Sequence, residues 1–122
     1  MIRLRPRTGP SGIRAQMANL LGRLDPRTGE FKEYRLKSPD SGLHGLVADK
    51  EGNIWFTANF KGYIGKLDPK TAEICEYPMP DPKARDPYTL LFDQKGVLWS
   101  VQGGNMLGRL LPSTGEIRLL RC

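Results

Sequence analysis

Gly65 to Tyr77 reads GKLDPKTAEICEY, and near-copies stand on both sides of it, GRLDPRTGEFKEY at Gly22 to Tyr34 and GRLLPSTGEIRLL at Gly108 to Leu120. The three starts are 43 residues apart, so one unit of that length is repeated along the chain. A period in this range belongs to stacked or radially arranged supersecondary units, and it constrains the fold before any single side chain does.

Within each copy, short alternating runs are separated by turn chemistry. Leu20 to Leu24 and Glu30 to Leu36 flank Asp25-Pro26-Arg27-Thr28-Gly29, which places Pro and Gly where a turn between two strands needs them. The next unit is complete, with strands expected at Leu43 to Ala48, Asn53 to Ala58, Tyr63 to Leu67 and Glu73 to Tyr77. The last repeats the plan at Tyr88 to Phe92, Val97 to Val101, Asn105 to Leu110 and Glu116 to Leu120. Asp49, Gly52 and Trp55 reappear as Asp93, Gly96 and Trp99, each 44 residues on; the extra residue relative to 43 is expected in or near the Gln102-Gly103-Gly104 loop, since turns absorb insertions cheaply.

Four short antiparallel strands per 43 residues, with recurring Gly and aromatic positions, describe an all-β partial β-propeller built of four-stranded blades. The reading divides the chain into a basic leader over residues 1–18, expected to be poorly ordered, a hairpin over 19–36, and blades over 43–79 and 88–120. The segment Ile2 to Gly9, IRLRPRTG, echoes the repeat at half a period and is either a blade remnant or an unrelated leader. Trp55 and Trp99 are expected to pack between neighbouring sheets, and Gly22, Gly65 and Gly108 to allow close backbone approach. Cys75 is placed with Phe31 and Ile117, which predicts a buried apolar side chain.

Composition narrows the function classes. The net charge of +6 comes from basic residues spread through the turns, apart from Arg3, Arg5, Arg7 and Arg14, without a basic groove interleaved with aromatics, so no nucleic-acid partner is expected. There is no apolar run of membrane-spanning length and no signal-peptide core in the sequence, which leaves the compartment open. The two cysteines, Cys75 and Cys122, make neither a disulfide framework nor a metal cluster.

The runs HGLVADKEGNIWFTANFKGYIGKLDPKTAEICEYPMP and YTLLFDQKGVLWSVQGGNMLGRLLPSTGEI resemble blades of the virginiamycin B lyase (streptogramin lyase) family, with H-G-L, D-x-x-G-N-I-W-F-T and I-G-K-L-D-P-x-T in register. The resemblance implies a seven-bladed propeller, which needs about 300 residues, so that two blades and a hairpin call for the remaining blades of a longer parent chain or for self-association. It further implies linearisation of a cyclic depsipeptide antibiotic by Mg2+-assisted elimination at the ester linkage, with a histidine opening an inner strand and carboxylates on either side of it. His44 falls on the histidine position and is the candidate catalytic residue. Gly42 and Asn59 stand where the carboxylates belong. In the following blade Asp86 is the candidate metal ligand, Tyr88 replaces the histidine and Gln102 the later acid; Tyr88, Asn59 and Gln102 are the candidate substrate contacts. Neither blade carries the full set. His44 has a second reading, a hydrogen bond to the neighbouring blade, and the chain as a whole has one too, a non-catalytic propeller scaffold for a ligand or protein.

Overall fold

The computed structural model describes residues 3–4, 11–15, 19–84, 86–103 and 105–121, the first two segments as backbone only. Among the described residues, twelve strands form three four-stranded antiparallel sheets in simple meander order. The first sheet holds β1 (Arg3–Leu4), β2 (Ser11–Ala15), β3 (Leu20–Leu24) and β4 (Phe31–Arg35). The second holds β5 (Leu43–Ala48), β6 (Ile54–Ala58), β7 (Tyr63–Asp68) and β8 (Glu73–Pro78), and the third β9 (Thr89–Phe92), β10 (Leu98–Gln102), β11 (Met106–Leu111) and β12 (Glu116–Arg121). The first strands of the three sheets neighbour one another, β1 against β5 and β5 against β9, as in propeller blades arranged around an axis.

The hairpin expected at 19–36 is therefore joined by two strands from the expected leader. Ile13 pairs with Gly22 as Phe56 pairs with Gly65, so β2 sits one full period ahead of β6. Residues 1–2, 5–10 and 16–18 of the expected leader lie outside the described residues, as does Cys122.

The repeated Asp at the first turn and the repeated Trp six residues later form one unit. Asp49 accepts the backbone N–H of Glu51 and Asn53, the Asn53 amide at 3.0 Å and the Trp55 indole N–H at 2.9 Å. Burial works to raise the Asp49 pKa, but the hydrogen bonds from Trp55, Asn53 and the turn outweigh it and leave the carboxyl below its ordinary value. Asp93 does the same for Lys95, Val97 and Trp99, and the Trp99 hydrogen bond is the main cause of its own lowered pKa.

Two apolar clusters glue the sheets together. Leu21, Tyr34 and Leu36 pack against Phe56, Tyr63, Leu67 and Ile74 between the first and second blades. Trp55 and Ile64 pack against Leu90, Leu98 and Leu110 between the second and third, with Tyr77 stacked on Trp55 at 5.7 Å and Phe92 edge-on at 6.1 Å. Trp55 is wholly buried, as expected; Trp99 is half-buried, because its face of the third blade has no sheet against it among the described residues. The first junction also carries polar links. Ser38 donates to Glu76, and the buried Ser41 hydroxyl lies 2.7 Å from the Tyr63 hydroxyl. Burial pushes the Tyr63 phenol up to about 12, with the negative charge of Glu76 adding to the shift and the Ser41 hydrogen bond opposing it.

Cys75 is exposed, contrary to expectation. Counted from the strand glycine, Ile74 is the residue that matches Phe31 and Ile117, and Ile74 is buried in the first junction. Cys75 matches Lys32 and Arg118, and it pairs with Lys66 at the sheet edge. A one-residue slip sends a side chain to the opposite face of a strand.

Candidate functional site

Strand direction places the candidate residues. His44 is the second residue of β5, Asn59 follows the end of β6, and Asp86 and Tyr88 precede β9, so all four lie at the end of the sheets opposite the Asp49 and Asp93 turns. The chain there does something the alternating pattern does not announce. Leu43 pairs with Ala58 and Leu46 with Phe56, so His44 and Gly45 together oppose the single residue Thr57. This is a β-bulge, a device that re-aims a side chain at the edge of a sheet.

The bulge leaves the Gly45 N–H without a ladder carbonyl, and the Thr57 hydroxyl accepts it at 2.7 Å. The same hydroxyl donates to the Tyr88 carbonyl at 2.9 Å. His44 Nδ1 lies 3.1 Å from that carbonyl, and the imidazole rests against the Tyr88 ring at 4.1 Å with the planes tilted by 60°. Asn59 donates from Nδ2 to the Pro87 carbonyl at 3.3 Å. Three side chains of the second blade thus hold the Pro87-Tyr88 backbone at the start of the third. The cross-blade reading of His44 describes this contact.

A carbonyl oxygen has no proton to give, so the hydrogen bond requires the proton on His44 Nδ1. In the neutral ring the lone pair then sits on Nε2, which has no hydrogen-bond partner among the described residues. The ring is half-buried, and the Tyr88 side chain beside it is exposed. Phe60, exposed in the loop between β6 and β7 at the same end, packs its ring over Gly42, whose φ of +69° and lack of Cβ allow the approach. The sequence reading did not single out Phe60; its signal is an aromatic residue in a loop where the third blade has the small residues of Gly103-Gly104.

Asp86 and Gln102 sit differently. Asp86 accepts the Gly103 N–H on Oδ1 at 3.0 Å, closing the loop of its own blade. Gln102 is the last residue of β10 and pairs with Met106 as Ala58 pairs with Tyr63, so its structural counterpart is Ala58 and not Asn59. The loop after it is one residue shorter than that after Ala58, not longer as expected, so the spacing returns from 44 to 43 there and the extra residue lies in the connector between β8 and β9. The Gln102 amide is buried over Gly108, where Nε2 meets the Ser100 hydroxyl and Oε1 has no partner among the described residues. Among the described residues these side chains do not by themselves make up a magnesium site. Asp86 has one oxygen committed to its loop, His44 has Nδ1 committed to Tyr88, and no group of three or more His, Cys, Asp or Glu comes together among the described residues.

No protein-family model matches the sequence, and no curated protein matches it. Solved structures do. The fold superposes on a virginiamycin B lyase from Staphylococcus aureus with a TM-score of 0.90 at 29% identity, over 98% of this chain and 40% of that one. A streptogramin B lyase gives 0.88 at 30% identity, over 98% of this chain and 39% of that one. A catalytically inactive histidine-to-alanine form of the Staphylococcus aureus enzyme with quinupristin gives 0.88 at 28% identity, over 98% and 40%. The chain spans about 40% of the length of these relatives. In fold it is a partial β-propeller of the virginiamycin B lyase (streptogramin lyase) kind.

Proposed function

We propose that this chain provides part of the ligand-binding end of a streptogramin-lyase-like propeller, and that its ligand is a cyclic depsipeptide of the quinupristin class. The observation that carries the reading is the bulged His44, held across the blade junction with its Nε2 unpaired among the described residues and beside the exposed Tyr88 ring. The similarity to a lyase structure containing quinupristin supports the ligand class. Such a macrocycle offers ester and amide groups to hydrogen-bond and apolar side chains to stack, and an imidazole with two aromatic rings suits both. The His44 lone pair accepts a proton or hydrogen bond from the ligand, while Tyr88 and Phe60 give it apolar surface.

Ester elimination needs a cation to polarise the ester as well as a base, and the carboxylates for that cation are absent at Gly42 and Asn59. The proposed role of this chain is therefore binding and proton acceptance, with the elimination itself a property of a complete propeller. Calorimetric titration with quinupristin tests the reading. Saturable binding that weakens about tenfold in His44→Ala, a loss of about 1.4 kcal/mol, is expected. Absence of binding favours the second reading, a scaffold without this ligand, which the missing carboxylates also suit.

A further inference from the structure

We infer that Thr57 is a positioning residue for His44, acting through the Tyr88 backbone carbonyl. Its hydroxyl has one proton and that proton is assigned: the Gly45 N–H occupies Oγ1 as a donor at 2.7 Å, so the hydroxyl hydrogen points to Tyr88 O at 2.9 Å. The side chain is wholly buried. The carbonyl it fixes is the one that receives His44 Nδ1–H. Thr57 thus caps the orphan N–H of the bulge that carries His44, and it anchors the acceptor that selects the tautomer of His44.

The third blade supplies an internal comparison. Val101 stands 44 residues after Thr57, with the same branched shape and no hydroxyl, and the residue at the His44 position there is Tyr88. In that blade Tyr88 N–H bonds the Val101 carbonyl and Thr89 is the residue that pairs with Val101. Hydroxyl and histidine occur together in the second blade and are absent together from the third. A role in sheet packing alone needs the branched shape and not the hydroxyl.

The functional purpose rests on the reading of His44 as the ligand-facing base; the tautomer itself does not. Since the chain has a single histidine, imidazole nitrogen NMR reads it without ambiguity. At a pH where the ring is neutral, the native protein is expected to show the Nδ1–H form, Thr57→Ser to retain it, and Thr57→Val to shift the ring towards the Nε2–H form. Thr57→Val is isosteric with the residue already accommodated at position 101, and its β-sheet circular dichroism checks folding. An Nε2–H ring in the native protein overturns the inference whatever the variants do, as does a Thr57→Val protein with the native tautomer. Quinupristin affinity gives a second arm, with about a tenfold loss expected in Thr57→Val and little in Thr57→Ser. If no variant and not even the native protein binds quinupristin, the ligand assignment fails while the NMR result still decides the role of Thr57.

Discussion

At the scale of single residues, the fold depends on carboxylates that are easily mistaken for surface charge. Asp49 and Asp93 each tie a turn to a tryptophan through one side chain. Replacing Asp49 by Asn is expected to cost about 1 kcal/mol in urea denaturation at pH 7, the half-exposed carboxylate being partly screened by water. The pH dependence has a fixed sign. The folded carboxyl titrates below its ordinary value, so the unfolded chain takes up the proton first as pH falls. The stabilisation is complete above the ordinary carboxylate pKa of about 4 and is lost as pH drops through the folded value. The gap between the native protein and Asp49→Asn must narrow below that pH; a gap that stays constant into acid contradicts the role given to the charge. The sequence displays both residues at matching positions, yet their hydrogen bond joins a turn to a strand and is visible only once the turn is built. Similarly, the position of His44 is legible from the repeat, whereas its bulge is not, because HGLVA alternates no differently from a regular strand.

At the scale of the element, the repeat was readable wherever its aromatic and turn residues survive. The second and third blades follow the expected strands to within a residue or two. The first blade hides its inner half because Gly12 stands where Trp55 and Trp99 stand, so β2 lacks the tryptophan that marks the other two. The strand glycines show how one position acquires different neighbours. A Cβ on Gly65 would strike the ring of Phe56, which is wholly buried, whereas on Gly22 it would meet Phe31, which is 49% exposed. Gly65→Ala is therefore expected to destabilise by about 1–3 kcal/mol, since the buried ring has nowhere to go. Gly22→Ala should cost less than about 0.5 kcal/mol because the exposed ring can turn away. Thermal unfolding of the two variants checks the difference, and equal losses contradict it.

At the scale of the whole molecule, the chain is a row of three blades with two outer faces. Leu91, Trp99, Val101 and Leu107 line the outer face of the third, where Leu91 is 67% exposed and Val101 51%. The matching face of the second blade carries Trp55 and is covered by the third. Acrylamide should consequently quench Trp99 and spare Trp55, so that Trp99→Phe removes most of the quenchable emission and Trp55→Phe leaves it. Equal quenching of the two contradicts the arrangement, and protection of Trp99 that grows with protein concentration would report a second copy on that face. The central claim concerns the opposite feature, the end of the blades where His44 and Tyr88 meet. Titrating the protein with quinupristin while following the imidazole signals of its one histidine tests that claim most directly. A saturable shift of the His44 Nε2 resonance, accompanied by the Tyr88 ring signals, is the expected result; unchanged His44 signals at saturating quinupristin contradict the proposed ligand site.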